Sequence, residues 1–356
     1  MRIAIVGAGP AGAATAIALA RAGRRPLLLE RDAVIAEKVC GEFLAEDAVR
    51  HLAALGLDVA ALGAVPIRRA LFAAGRAQAE LMLPFAAWGL PRAILDASLV
   101  EAARAAGAEV RLGARVVGAE RQGTVWRLRL PDGLVETEAM VLATGKHELR
   151  GHRRAASGGA IGVKLSLHGM APEATIALLS CVGGYAGLQP RPDGANLCAA
   201  LDPGRPGVTE AARSATAFLA HVARGSALAE RLLNGLEPTQ PRPLVVAGIP
   251  YGHMAGGGEV FRVGDQASVI PSFCGDGVAM ALASGEAAAR ALLAGATPAA
   301  HHTTWARRVD GGMRIARLVG MLHSRAPRLL VACVALAPSL AGWAACRTRL
   351  SEGEGG

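Results

Sequence analysis

Gly7, Gly9 and Gly12 stand in the spacing G-x-G-x-x-G, with Pro10 and Ala11 inside it, and the chemistry such a spacing serves is the holding of a phosphate chain. Gly7 permits a tight turn, Gly9 leaves room for a pyrophosphate against the backbone, and Gly12 lets a helix pack closely on a strand. Glu30 follows 18 residues after Gly12, where an acidic side chain is expected to hold a ribose hydroxyl. A second constellation is Gly264-Asp265, then Pro271, then Gly275-Asp276-Gly277-Val278. It reads as a strand end, a proline loop and another helix N-terminus, whose N–H groups suit a developing negative charge, with Asp265 placed to accept from polyol hydroxyls. Cys40, in Lys38-Val39-Cys40-Gly41-Glu42, is expected where a loop meets a helix. A thiol there can be activated, or it is a small buried residue in a turn.

The elements that must position these groups follow from periodicity. Ile3–Val6 is a short apolar strand, an alanine-rich helix runs to Arg21, and a second strand over 26–29 ends at Glu30 and Arg31. The residues from 43 to 55 predict a helix stopped by Gly56. Short strands are expected over 67–72 and 79–83, then, after Leu90-Pro91-Arg92, a helix from Ala93 to Ala106, and strands over 109–112 and 115–121, the latter holding Val116. An antiparallel unit is expected over 125–130 and 134–144 around Pro131-Asp132-Gly133, ending in the small residues Thr144 and Gly145. The basic run 146–154 either contacts a phosphate of a reducing nucleotide or is a solvated loop. Four strands lie within 160–201, helices over 209–223 and 227–233, strands over 242–249 and 259–263, and a long helix over 278–293. The expected fold is α/β: a Rossmann-like dinucleotide domain (1–65, 90–150 and 242–295), an inserted β-rich substrate domain (66–89 and 151–241), and C-terminal helices (296–356).

Of the 356 residues 52% are apolar, enough for a large core, and the net charge of +9 favours anionic ligands or an anionic membrane surface. No nucleic-acid module appears, and with aromatics at 3% no stacking platform does. The 6 cysteines show no C-x-x-C, so neither a metal site nor a disulfide framework is expected. The chain enters its first strand at Ile3 without a signal-peptide pattern, and a cytoplasmic place is expected. Residues 329–346 carry no charge and are bracketed by arginines; with Pro338 inside, two packed helices or a peripheral membrane contact are expected rather than a span.

Together these stretches resemble the FAD-dependent oxidoreductases of the geranylgeranyl reductase and aromatic-hydroxylase (group A monooxygenase) superfamily. The resemblance rests on Gly7, Gly9, Gly12 and Glu30; on Lys38-Val39-Cys40-Gly41-Glu42, similar to a K-x-C-G-G/E segment beside the flavin; on Arg92 with Leu95-Asp96 and Leu99; and on Gly264-Asp265 through Pro271 to Gly277. It implies FAD held by these residues, with Arg92 facing its phosphates and Asp265 its ribityl chain. It also implies Arg31, Val116, Thr144 and Gly145 as further contacts, and NAD(P)H or a partner protein as transient electron donor. Gly183-Gly184-Tyr185 onward resembles the reductases' G-G-Y-x-W-x-F-P, with Gly187 for the Trp and Gln189 for the Phe, which opens space over the flavin. Lys146 follows A-T-G where hydroxylases carry A-D-G, and the halogenases' W-x-W-x-I-P is absent. The variant set is most similar to flavoproteins that accompany type III polyketide synthases. The resemblance implies a monooxygenase acting on an apolar or phenolic metabolite with O2 through a flavin hydroperoxide. The alternative is a reductase of C=C bonds in an isoprenoid or acyl substrate, with Cys40 and Tyr185 as candidate catalytic donors; a non-catalytic flavin- or lipid-binding protein is a third.

Overall fold

The computed structural model describes residues 1–154 and 159–350. Strands Phe261–Arg262, Ala139–Leu142, Ile3–Val6, Leu27–Leu29 and Glu109–Arg111 lie side by side in that order as a parallel five-stranded sheet. Both faces are covered, so the strands are continuous apolar runs: all four residues of Ile3–Val6 and of Ala139–Leu142 are buried. Helix Pro10–Arg21 packs on this sheet and Gly277–Leu293 packs on that helix, and close approach is possible because a Cβ on Gly285 would lie 2.3 Å from the Ala11 carbonyl oxygen.

The second layer is a nine-stranded, largely antiparallel sheet. It joins Val65–Ala74, Ala77–Gly89 and Phe43–Ala45 to the strands Ala160–His168, Thr175–Cys181, Gly184–Arg191 and Gly194–Leu201. Helices Ala215–Ala223 and Ala227–Leu233 cover part of it, each capped by a serine hydroxyl (Ser214, Ser226) that accepts from an N–H three residues on. Three helices close the chain, Pro298–Arg325, Pro327–Leu336 and Pro338–Arg347, each opening on a proline. The fold is thus the expected combination of a parallel sheet, a large β-rich sheet and a helical C-terminus.

Several elements differ from expectation. Residues 43–45 are a strand paired with 87–89, and the helix begins only at Glu46. The stretch 134–144 is not one antiparallel strand: Gly133–Thr137 pairs with Val125–Leu130, and after Glu138 the chain changes sheets to run parallel to Ile3–Val6. Thr137 fastens that switch, its hydroxyl donating to the Arg2 carbonyl at 2.7 Å. The helix expected over 209–223 is interrupted, because Ser214 caps a new one. Leu244–Ile249 pairs antiparallel with Ala160–His168, so it belongs to the large sheet rather than to the dinucleotide-binding one.

Candidate functional site

Gly7 ends the first strand with φ +106, and a Cβ there would stand 2.4 Å from the Ala143 carbonyl oxygen, so only glycine fits. A Cβ on Gly12 would stand 1.9 Å from the Gly7 carbonyl oxygen, which fixes Gly12 as the packing glycine. Gly9 differs, since the nearest atom to its would-be Cβ is Arg92 Nη2 at 3.7 Å; its bareness leaves space on the open side. The helix begins at Pro10 with no side-chain cap, so its first N–H groups are free for a ligand. Glu30 is buried and held rigid: Oε2 accepts from Ala8 N–H at 2.8 Å and Oε1 from Asp32 N–H at 3.2 Å. Bare glycine, uncapped helix end and fixed carboxylate together fit the pyrophosphate and ribose of a dinucleotide.

These residues open onto a cavity of about 1180 Å³, larger than the roughly 300–1,000 Å³ usual for a single small ligand. Gly7, Gly9, Pro10, Ala11, Glu30 and Arg31 line one end. Lys38, Cys40, Gly41, Arg92 and Val116 follow, with Thr144, Gly145, Gly264 and Asp265 opposite, and Gly275, Gly277, Val278 and Tyr185 further in. Gly12, Pro271 and Asp276 do not line it. Asp276, expected as a cofactor contact, is instead fully buried against Arg349 from the C-terminal segment, and burial pushes its carboxyl up to about 6 against the pull of that arginine. Arg349 itself reaches the cavity.

Arg92 forks onto Asp96 through two bonds of 2.8 Å; burial opposes its charge, and the Asp96 carboxylate more than offsets this. Asp265 pairs with Lys146 at 3.1 Å, and that neighbouring carboxylate raises the lysine pKa, so a fixed cation sits beside the expected polyol acceptor. The basic run is therefore not a free loop. Arg154 is buried, paired with Glu148, and donates to the Asp265 and Lys146 carbonyls at 2.9 Å each. Cys40 has no helix N-terminus beside it, because a strand follows: its sulfur accepts from Glu42 N–H at 3.3 Å, and its carbonyl accepts from Asn196 Nδ2 at 3.1 Å.

Beneath this loop lies a buried charge network that periodicity did not reveal. Glu42, at φ +63, takes Lys164 Nζ on one oxygen, and the fully buried Lys164 also bonds Glu37; Arg191 closes the group at 3.0 Å from Glu37.

The far end of the cavity is an apolar chamber. The β-sheet contributes Phe72, Leu81, Phe85 and Ile176, and the C-terminal helices contribute Leu330, Val334 and Ala341 as a roof. Where chamber and cradle meet, Tyr185 and Tyr251, the only 2 tyrosines of the chain, both hydrogen-bond Ser272 Oγ, at 2.6 and 2.7 Å. Burial raises both phenols, Tyr251 to about 12 and Tyr185 well above its usual value, so both stay protonated. Tyr251 and Ser272 were missed as site residues; the scarcity of tyrosine was the one signal available. Gly187 lines the chamber with nothing nearer than 3.8 Å to its would-be Cβ, as the opened space implies. Gln189 does not line it: its amide is buried, with neither atom partnered.

Residues 1–143 match the family model described as FAD binding domain. Among curated proteins the chain is similar to digeranylgeranylglycerophospholipid reductase 2 of Methanopyrus kandleri, with 36% identity over 151 residues, 39% of this chain and 36% of that protein. It is also similar to menaquinone reductase of Mycobacterium tuberculosis, with 31% identity over 159 residues, 42% of this chain and 39% of that protein. The matches thus span less than two fifths of either relative. Among solved structures, the flavin-dependent brominase Bmp2 superposes with TM-score 0.78 at 18% identity, covering 98% of this chain and 94% of that one. A geranylgeranyl bacteriochlorophyll reductase-like protein of Thermoplasma acidophilum gives 0.74 at 17%, covering 95% and 91%. At such identities these likenesses establish a common fold.

Proposed function

We propose that the chain is an FAD-dependent oxidoreductase, as its N-terminal FAD binding domain match and its fold support, and that it hydroxylates an elongated apolar or phenolic metabolite. The observation that carries this is the apolar chamber, with the Tyr185–Ser272–Tyr251 hydroxyl chain at one boundary and the Arg349 guanidinium against the Phe85 ring at another. FAD, when bound, supplies two-electron redox chemistry and the activation of O2. The protein does the rest. The uncapped helix at Gly9 and Pro10 and the Glu30 carboxylate hold the dinucleotide. Lys146, paired with Asp265, would fix that carboxylate for the polyol, and the uncapped start of the helix Gly277–Leu293 would face negative charge on the reduced cofactor. The helical roof excludes water, and the hydroxyl chain orients a substrate hydroxyl and keeps a proton within reach. Exposed Arg31, Arg115 and Arg150 at the outer end of the cavity suit a phosphate of NAD(P)H as the transient donor.

One observation favours a second reading. Two tyrosines held protonated at the chamber boundary are competent proton donors, and reduction of a C=C bond needs one. The curated relatives named above are both reductases. The test is anaerobic: the purified protein is followed by its visible spectrum while NADPH, then NADH, is added with candidate phenols and polyprenyl compounds. Hydroxylation gives no product until oxygen is admitted, then a product heavier by one oxygen. A product heavier by two hydrogens, formed without oxygen, establishes the second reading and refutes the first. A protein that takes up no flavin refutes both.

A further inference from the structure

The two helices that roof the chamber are apolar on both sides. Inward, Leu330, Val334, Ala341, Ala344 and Ala345 line the cavity. Outward, Leu329, Cys333 and Leu336 form a stripe at i, i+4, i+7 on Pro327–Leu336, with Leu329 54% and Leu336 86% exposed. Leu340 and Trp343 continue it on Pro338–Arg347, at 63% and 51%. A helix apolar all round is stable when buried on every side or when one side meets lipid. Charge points the same way: between Asp310 and Glu352 there is no acidic residue but six arginines. Arg325, Arg328 and Arg347 are exposed around the apolar stripe, and the Arg347 guanidinium stands 5.6 Å over the Trp343 ring. Aromatic side chains beside basic ones are what an interface between acyl chains and anionic headgroups selects. Among the described residues no single helix is long and apolar enough to cross a membrane. Each roof helix has 10 residues, about 15 Å against a hydrocarbon core of about 30 Å, so the pair suits the plane of the interface.

We propose that the outer face of these two helices docks on an anionic membrane surface, making them a thin wall between lipid and chamber through which an apolar substrate enters. Substrate entry rests on the reading of the chamber given above; docking does not. A second copy of the chain is the poorer occupant, since a two-fold contact would set the same exposed arginines against one another.

The test is sedimentation of the full-length flavoprotein with vesicles of phosphatidylcholine, with and without phosphatidylglycerol. The wild type is expected to pellet with the anionic vesicles at least tenfold more strongly than with the neutral ones, and less so at high salt. The triple variant Leu336→Ser/Leu340→Ser/Trp343→Ser loses that partition at least tenfold, while bound-flavin absorption and thermal unfolding match the wild type. Arg325→Gln/Arg347→Gln, which leaves the apolar stripe intact, loses the preference for anionic vesicles. A wild type that stays in the supernatant, or a triple variant that pellets like it, overturns the proposal. So does a wild-type dimer that the triple variant converts to monomer without either binding vesicles. Turnover of a short, soluble phenol is measured in parallel; its absence counts against the hydroxylase reading and leaves vesicle binding to decide docking.

Discussion

Replacing Lys164 by Met removes the ammonium that holds Glu42 and Glu37 together beneath the cavity while keeping most of the side-chain volume. Lys164 and Glu42 are both buried, with side-chain exposures of 1% and 0%, whereas Glu37 is 32% exposed and can turn to water. The cost therefore falls on Glu42, left with the Arg92 backbone N–H at 3.0 Å and, as its remaining cation, Arg191 at 3.6 Å. Removing one partner of a buried pair costs about 3–5 kcal/mol. At about 2.1 cal/mol/K of unfolding entropy per residue, 356 residues give about 0.75 kcal/mol/K, so the melting temperature falls by about 4–7 °C. Because the loss is an uncompensated charge, Lys164→Met/Glu42→Gln recovers more than half of it. The assay is thermal unfolding by circular dichroism at neutral pH for wild type, both single variants and the double variant. The pair also sets pH limits. Lys164 is raised by its carboxylates against the opposing effect of burial, so the stability it adds is present below its unfolded value and lost as pH rises through the folded one. Glu37 is lowered, burial opposing and Lys164 prevailing, so its share is lost as pH falls below about 4.5. A double variant no more stable than Lys164→Met refutes the reasoning and assigns the cost to packing around the lysine stem.

Gly9→Ala is expected to fold with an unchanged melting temperature, because its Cβ meets nothing nearer than 3.7 Å, yet to lose FAD affinity at least tenfold by titration. Gly12→Ala, whose Cβ would meet backbone at 1.9 Å, is expected to lose folded protein altogether, and equal behaviour of the two variants contradicts the assignment. Arg349→Met is expected to destabilise more at pH 7 than at pH 4: the Asp276 carboxyl, raised to about 6 by burial against the pull of Arg349, rises further without that arginine, and holds its proton where the unfolded chain has lost it; a loss independent of pH assigns the effect to packing against Phe85. His301 is pushed down to about 4 by burial and then by His302, so the unfolded chain takes the proton first and stability falls as pH drops from 6.5 towards 4. His301→Gln should flatten that decline in urea unfolding series, by on the order of 2–3 kcal/mol at most; an unchanged slope sinks the assignment.

The glycine turn proposed to cradle a phosphate chain was legible in the chain because it is local. Gly7, Gly9 and Gly12 act within six positions, and their spacing encodes turn, approach and packing without reference to any distant residue. The same holds for Gly264-Asp265, just after the strand Phe261–Arg262, and for the glycines that open the helix at Gly277. Apolar periodicity, in contrast, records that a residue is buried and not what buries it. Phe43 and Leu44 fit the face of the following helix, but hydrogen bonds to residues 87–89 make them a strand. Asp276 has the neighbours of a cofactor contact, and only the return of the chain 73 positions later, bringing Arg349, turns it inward. Tyr185, Tyr251 and Ser272 converge across as many as 87 positions, and Lys164 meets Glu42 across 122. Sequence alone determined the parallel sheet and the glycine turn at its first strand. Tertiary structure decided the shape of the chamber, the hydroxyl chain at its boundary and the roof with two apolar faces, since each is made by groups whose proximity depends on how whole layers pack.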